Sequence, residues 1–155
     1  MDHSPWHAGE KQRQGHVGVA ERMEAFGRRV IRNQMPDQHR AFYQQLPFML
    51  YGAVDADGNP WASILEGPPG FAHSPDPSRL QFDCLPSADD PAQLRNGDAI
   101  GLLGIELHTR RRNRLNGRVG SMTAGGFGMT VEQSFGNCPQ YIQLRQFHSV
   151  PLADP

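Results

Sequence analysis

The segment from residue 109 to residue 119 concentrates the cationic side chains of this sequence. It reads Thr-Arg-Arg-Arg-Asn-Arg-Leu-Asn-Gly-Arg-Val, with five arginines among nine consecutive residues. In a β-strand alternate side chains share a face, so Arg110, Arg112 and Arg114 would follow one another at spacings of about 7 Å, with Leu115 and Val119 on the interior face. Because a guanidinium group binds phosphate through two parallel hydrogen bonds, this row is suited to a phosphate-bearing ligand. Two alternatives stay open, a solvated edge strand whose arginines oppose aggregation and a strand that binds RNA.

A second segment, Phe-Gly-Asn-Cys-Pro-Gln-Tyr-Ile-Gln at residues 135–143, predicts a helix over 137–142. Asn137 can cap that helix, and a helix N-terminus offers free N–H groups and a partial positive charge. Cys138 is a candidate nucleophile at this position, although no base adjoins it in sequence and a small buried cysteine is the commoner outcome. The seven histidines occur without paired ligand spacing, so no metal site is predicted.

A third segment, Pro-Trp-Ala-Ser-Ile-Leu-Glu-Gly at residues 60–67, could bind a flat ring. A strand of small and apolar residues beside a Gly-Pro loop allows such a ring to lie against the backbone. The alternative is an ordinary hairpin strand. The sequence contains no glycine-rich dinucleotide fingerprint, nucleophile elbow or Walker loop.

Short strands joined by tight turns are expected to position these three segments. Apolar residues at helical spacing predict one helix over residues 19–32 and a shorter one over 37–46. One helical turn is predicted at 91–95, and residues 1–17 and 147–155 are expected to be extended. Six strands are predicted, at 48–54, 60–66, 79–85, 99–107, 109–119 and 127–135. We therefore expect a mainly β fold with flanking helices, in which residues 1–155 form a single domain with a closed or partly open barrel.

The composition favours one β-rich domain. The 155 residues include 17 Gly and 13 Pro, an excess of turn formers that argues against a helix bundle. The net charge of −1 argues against nucleic acid as the partner. Because the sequence lacks both an apolar run of about 18 residues and the pattern of a signal peptide, we expect a cytoplasmic protein without membrane contact. Its two cysteines, Cys84 and Cys138, would then stay reduced.

Taken in order, the motifs resemble those of a known family. They are an Asp-x-Asp-Gly-x-Pro-Trp-Ala-Ser hairpin, a Gly-Pro-Pro-Gly-Phe loop, an Arg-Arg-Asn-Arg-Leu-Asn-Gly strand and a Phe-Gly-Asn-Cys-Pro-Gln-Tyr-Ile-Gln segment. This pattern resembles the pyridoxamine 5′-phosphate oxidase-like flavin-nucleotide-binding proteins. The resemblance is closest to the subgroup sometimes found fused ahead of ferredoxin-reductase-type modules, and it covers residues 4–143.

The resemblance implies a six-stranded antiparallel split β-barrel that forms a homodimer with two FMN molecules at the subunit interface. FMN is the expected cofactor, with FAD or a deazaflavin less favoured. Along the flavin ring the resemblance places Trp61, Ala62, Ser63, Ile64 and Leu65. As phosphate ligands it implies Arg110, Arg112 and Arg114, with Thr109 as a hydroxyl donor. The residues that would close the site, from the same chain or the partner, are Asn137, Cys138, Gln140 and Tyr141.

The sequence departs from the vitamin B6 oxidases at Glu66, where their phosphate-gripping strand carries a cation. A counterpart of their C-terminal substrate segment is not evident either. We therefore expect a different flavin-dependent oxidoreductase, with NAD(P)H or a reductase as electron donor and no identifiable catalytic acid or base. The alternatives are a non-catalytic module that binds flavin, deazaflavin or haem or transfers electrons, and a barrel that binds RNA or another anion.

Overall fold

The computed structural model describes residues 4–138 and 140–148, which form seven strands and three helices. The helices are α1 (Ala8–His16), α2 (Ala20–Val30) and α3 (Asp37–Gln44). The strands are β1 (Phe48–Val54), β2 (Pro60–Glu66), β3 (Ala72–Asp76), β4 (Arg79–Phe82), β5 (Ala99–Glu106), β6 (Arg111–Thr123) and β7 (Gly126–Gly136). The prediction of a mainly β fold with flanking helices is confirmed.

All seven strands form one antiparallel sheet in the order β2-β1-β5-β6-β7-β4-β3, so β2 and β3 are its edges. These two edge strands are consecutive in the chain, and residues 67–71 join them. A flat sheet would hold them about 29 Å apart across six strand spacings. The six Cα steps from Glu66 to Ala72 reach only about 20–22 Å. The sheet must therefore curl, although the described residues of β2 and β3 do not pair to close it.

Curling gives the sheet an inner face, which encloses the core, and an outer face. Side chains from all seven strands meet on the inner face in one buried cluster, together with Phe42 and Tyr43 of α3. Within this cluster Phe82 and Phe127 stack with 4.7 Å between their ring centroids. On the outer face, cross-strand partners form rows of exposed or half-buried side chains. One such row crosses from β2 to β7 through Ile64, Leu50, Leu103, Arg114 and Phe135.

Helix α3 and the residues after it pack closely against the inner side of β5. Gly104 has no room for a side chain, because a Cβ atom there would lie 2.7 Å from Leu46 Cδ1, 2.8 Å from Phe42 Cε1 and 3.1 Å from Tyr43 Cε1. The guanidinium of Arg111 lies over the Phe42 ring at 4.5 Å from its centroid. Helix α3 is therefore fixed to β5 by packing at Gly104 and to β6 by the cation–π contact of Arg111.

The prediction of six strands is wrong because it omits β3. Residues 72–76 read Ala-His-Ser-Pro-Asp, a polar, proline-containing sequence that is typical of a loop. Proline is nevertheless tolerated at a sheet edge, where its missing N–H leaves no partner unsatisfied, and the pairing of β3 with β4 shifts register between His73 and Asp76. Strand β6 also extends beyond the predicted 109–119, since residues up to Thr123 continue to pair with β7.

The helix predictions are wrong near both ends of the chain. Residues 8–16 form α1 instead of an extended segment, because His7 Nδ1 accepts hydrogen bonds from the N–H groups of Gly9 and Glu10 while the Glu10 carboxylate accepts one from the His7 N–H. This arrangement is a capping box with an unusual first residue.

The described part of 137–142 contains no helix, and Tyr141 has a φ of 71° that a helix excludes. Residues 91–92 form a turn without helix, and positions 149–155 of the predicted C-terminal tail lie outside the described residues.

Candidate functional site

The outer face carries a hollow of about 380 Å³ where neighbouring strands lack side chains. Gly52 of β1 and Gly101 of β5 are cross-strand partners that line it. A Cβ atom at Gly52 would meet the Trp61 carbonyl oxygen at 3.6 Å, and one at Gly101 would meet Asn116 Oδ1 at 3.3 Å. A flat ring can therefore approach the backbone in this glycine hollow. The sequence analysis selected neither glycine, although the alternation of side chains along β1 places Gly52 on the face opposite to that of its buried neighbour Tyr51.

The residues of β2 that were expected along a flavin ring lie on both faces of the strand. Ala62 and Ile64 face outward, and Ile64 is 44 % exposed. Ser63 and Leu65 face inward, and Leu65 is buried in the core. An outer ligand can therefore contact the side chains of Ala62 and Ile64, whereas Leu65 can offer only its backbone.

Trp61 is fixed by the turn between β1 and β2. Asp55 Oδ1 accepts hydrogen bonds from the backbone N–H groups of Asp57 and Asn59, and Asp55 Oδ2 accepts one from Trp61 Nε1 at 2.8 Å. These hydrogen bonds, led by that of Trp61, lower the pKa of Asp55 to about 2. Trp61 lines the glycine hollow, and its indole is bound to the hairpin turn.

Arg112 and Arg114 lie beside each other on the outer face of β6. Arg112 donates from Nη2 to the Cys138 carbonyl oxygen at 2.8 Å, while its Nε is buried without a partner among the described residues. The exposed Arg114 guanidinium has no hydrogen bond or ion pair within residues 4–138 and 140–148. Arg110 lies outside this row, because its φ of 59° belongs to the turn before β6. The outer face thus presents two adjacent arginines in place of the expected three.

The segment after β7 lies against Arg112. The Asn137 N–H donates to the Arg112 carbonyl oxygen at 2.9 Å, which ties this backbone to β6. Asn137 Oδ1 is buried and, in the described part of the chain, has no hydrogen-bond partner. Cys138 is exposed, with its Sγ 3.9 Å from Gln140 Oε1, and Tyr141 is 93 % exposed. The structure therefore brings Arg112, Asn137 and Cys138 together and leaves Tyr141 extending away from them.

Two carboxylates restrict where an anion can bind. Thr109 donates its hydroxyl hydrogen to the Glu106 carboxylate, so this hydroxyl is already engaged beside a negative charge. Glu66 lies on β2, three strands away from Arg112 of β6, which corresponds to about 14 Å. The most favourable region for an anion is therefore the surface around Arg112 and Arg114, not the turn at Thr109.

Two buried polar pairs belong to the interior and not to this surface. His39 Nδ1 lies 2.8 Å from Ser134 Oγ, and burial together with two nearby arginine charges lowers the pKa of His39. Tyr51 donates to the Asp90 carboxylate, and burial raises the pKa of Tyr51. Burial alone would raise the pKa of Asp90 as well, but hydrogen bonds from Ser63, Tyr51 and a backbone N–H lower it.

Two other kinds of feature are absent from the described ranges. No helix there has the length and apolar character needed to cross a membrane. No group of three or more His, Cys, Asp or Glu side chains in the same ranges could hold a metal ion.

Comparison with known proteins identifies the family. The family model of pyridoxamine 5′-phosphate oxidase matches residues 35–151. No curated protein matches the chain. Among solved structures, a candidate pyridoxamine 5′-phosphate oxidase of Lactobacillus delbrueckii shares 19 % identity, covering 67 % of this chain and 95 % of that chain with a TM-score of 0.50, which shows a common fold.

Two crystal structures of HupZ from Group A Streptococcus, one of them a variant, were also found. Each shares 15 % identity with a TM-score of 0.49, and they cover 66 % and 72 % of this chain and 99 % of each HupZ chain. The family assignment rests on the family model, which spans more than half of the 155 residues. The chain belongs to the pyridoxamine 5′-phosphate oxidase family.

Proposed function

We propose that the outer face binds FMN between two copies of this chain, which acts as a flavin-dependent oxidoreductase domain. The observation that carries the proposal is the cluster of unpartnered polar groups beside the glycine hollow. Arg112 Nε and Asn137 Oδ1 are buried without partners among the described residues, and the unpaired Arg114 guanidinium lies next to them. Buried polar groups are normally hydrogen-bonded, so these atoms fit a ligand with several polar atoms.

The phosphate end of FMN matches these groups. A phosphate carries acceptor oxygens that can bind the Nε–H of Arg112 and the guanidinium of Arg114 at once. Asn137 could also donate, because its side-chain amide carries an NH₂ group that a half-turn of the amide would bring to the position of Oδ1. The net positive charge of this surface favours the charged end of FMN over its ring.

The ring end of FMN matches the glycine hollow. The backbone at Gly52 and Gly101 is open to the outer face, and the Asn116 amide lies at the rim. Asn116 and Arg114 are two residues apart on β6, which corresponds to about 7 Å. The ring and the phosphate of one FMN molecule could therefore occupy the hollow and the arginine surface together.

A second copy of the chain is the expected cover for this face. Val54 and Ile64 are 53 % and 44 % exposed, and Leu50 and Leu103 are half-buried, so a single chain leaves apolar side chains in water. Their burial between two copies would contribute about 25 cal/mol per Å² of apolar surface. In a two-fold symmetric dimer the same patch of both copies forms the contact. This contact would exclude water from the flavin ring.

When bound, the flavin supplies the hydride or electron transfer, with NAD(P)H or a reductase as the proposed donor. The residues of the chain bind it, orient it and shield it. Pyridoxamine phosphate oxidation is not part of the proposal, because β2 carries Glu66 where the vitamin B6 oxidases carry a cation.

The proposal is tested by titrating FMN and riboflavin, which lacks the phosphate, into the wild type and two variants. Arg114→Ala should weaken FMN by about 10- to 150-fold, the equivalent of about 1.5–3 kcal/mol for one charge-assisted contact, and leave riboflavin unchanged. Arg118→Ala is the matched control. Arg118 lies on the same face of β6, but its guanidinium already binds Glu132 at 3.2 Å and the Gly97 carbonyl oxygen.

Absence of FMN binding in the titration of the wild type would contradict the proposal. Equal weakening of FMN and riboflavin by Arg114→Ala would show that this residue does not bind phosphate. A loss of FMN affinity in Arg118→Ala as large as in Arg114→Ala would show that general surface charge, and not the pair at Arg112 and Arg114, attracts the ligand.

A further inference from the structure

Residues 4–34 precede the part of the chain that the family model matches, and we call them the N-terminal arm. The arm contains α1, α2 and the residues that follow α2. α1 has no buried residue, and Gly27 is the buried residue of α2. Trp6 holds the arm together, because its indole occupies the space that a Cβ atom at Gly27 would need and its Nε1 donates to the Met23 carbonyl oxygen at 3.0 Å.

The arm is tethered to β7, and a cavity lies between the two. The backbone of Arg32 pairs with that of Ser134 through hydrogen bonds of 3.0 and 2.7 Å. Gln133 Nε2 donates to the Pro5 carbonyl oxygen at 3.1 Å. The cavity has a volume of about 1040 Å³, which is slightly above the range of about 300–1,000 Å³ typical of small-molecule sites.

The cavity lining is mixed and includes one guanidinium that has no partner in the described part of the chain. Its apolar residues are Pro5, Ile31, Met35, Pro36 and Pro77, and the polar side chains of Ser4, Asn33 and Gln34 also line it. The Arg32 side chain has no hydrogen bond or ion pair within the described chain, whereas Arg28 is ion-paired with Glu24 at 2.8 Å. The backbone of Arg32 supplies the tether, so its guanidinium is available to a ligand.

The charges around the cavity limit the charge that a ligand can carry. Glu132 and Asp37 both line it and are ion-paired with Arg118 and Arg40, respectively, so their charges are largely offset. The Arg32 guanidinium can then offset one negative charge, and not the two of a phosphate monoester. A carboxylate is therefore the anion that fits best, and the apolar residues favour a flat apolar body attached to it.

Gln133 separates this cavity from the glycine hollow. Its Oε1 accepts a hydrogen bond from Asn116 Nδ2 at 2.8 Å, and Asn116 lines the hollow. Glu132 lines both spaces, because a register shift between β6 and β7 places it beside Gln133 as an extra residue. A molecule in the cavity would thus lie one side chain away from a ring in the hollow.

We propose that the cavity between the N-terminal arm and β7 binds a small organic monoanion, with its carboxylate on Arg32 and its flat apolar body against Ile31 and Pro36. This ligand is the substrate class of an FMN bound at the glycine hollow and at Arg112 and Arg114. The binding site stands on the cavity and its charges, whereas its role as a substrate site rests on the proposed function.

Calorimetric titration of flavin-free protein with benzoate tests the binding site. Benzoate should bind at a single saturable site. Benzyl alcohol, which has the same ring without the charge, should bind at least about tenfold more weakly. Arg32→Gln should weaken benzoate by about tenfold or more, because it removes the charge and leaves the backbone tether to Ser134 intact. Arg29→Gln is the matched control: Arg29 lies over the Phe26 ring, does not line the cavity and should leave benzoate affinity unchanged.

Three results would overturn the binding site: no saturable benzoate binding, equal affinity for benzoate and benzyl alcohol, or unchanged affinity in Arg32→Gln. A second measurement tests the link to the flavin. Benzoate added to FMN-loaded protein should shift the flavin absorption bands in the wild type and not in Arg32→Gln. Benzoate binding without any spectral shift would refute the substrate role. Failure of FMN to bind would refute the proposed function and leave the calorimetric result to decide the cavity.

Discussion

Gly104→Ala should destabilise the protein through contacts that the structure makes explicit. The new methyl group would lie 2.7, 2.8 and 3.1 Å from carbon atoms of Leu46, Phe42 and Tyr43, whereas carbon atoms in ordinary contact are about 3.5–4.0 Å apart. All three side chains are at most 1 % exposed, so none can turn into solvent. Overpacking of this kind costs about 1–3 kcal/mol. The lower entropy of the unfolded chain returns about 0.4–1 kcal/mol, which leaves about 1–2 kcal/mol.

Urea unfolding of Gly104→Ala measures this cost, and Gly101→Ala is the matched control. Both changes replace glycine by alanine in β5, so the effect on the unfolded chain is the same and cancels. At Gly101 the methyl group would meet Asn116 Oδ1 at 3.3 Å on the outer face, where there is space to adjust. With an m value of about 2 kcal/mol/M, the midpoint of Gly104→Ala should fall by about 0.5–1 M. Equal midpoints for the two variants would refute the close packing of α3 on β5.

Two further predictions concern pH and the ring site. The lowered pKa of His39 means that, below the ordinary histidine value of about 6.5, the unfolded chain binds a proton that the folded chain does not. The contribution of His39 to the free energy of unfolding should therefore be fully present above about pH 6.5 and decrease as the pH drops below it. A His39→Gln variant, measured by urea unfolding from pH 5 to 8, should lack this pH dependence. An unchanged pH dependence in the variant would show that another group causes it. Gly52→Leu should fill the glycine hollow and weaken FMN and riboflavin alike, by about tenfold or more, in the same titration as Arg114→Ala, whereas a loss confined to FMN would contradict a ring in the hollow.

The parts of the fold that local signals determine could be predicted from the sequence. β1 and β2 have the predicted bounds, because apolar alternation marks both strands and an Asp-Gly turn with Gly58 at a φ of 87° joins them. β3 could not be predicted in this way, since it is a strand only because β4 offers it a partner. α1 begins at a histidine cap, and a search for hydroxyl, amide or carboxylate caps does not find it.

The candidate site depends on strand order, which the sequence does not display. Arg112, Arg114 and Asn137 could be selected by residue type, and the structure places them together because β7 ends beside the start of β6. The glycine hollow requires β1 to lie next to β5, two strands separated by some 45 residues of chain. The cavity beside Arg32 requires the arm to fold back on β7. Contacts of such long range leave no periodic pattern in the sequence.

The N-terminal arm is linked to β7 by few hydrogen bonds, and this has a thermodynamic consequence. Its helices are largely exposed, and the link to β7 depends on the Arg32–Ser134 backbone pair and the Gln133–Pro5 hydrogen bond. Such a unit can detach at a lower free energy than the seven-stranded sheet needs to unfold, and its amide hydrogens would then exchange sooner than those of the sheet. Any molecule that occupies the cavity only while the arm is docked must slow that exchange, because binding and docking are linked equilibria.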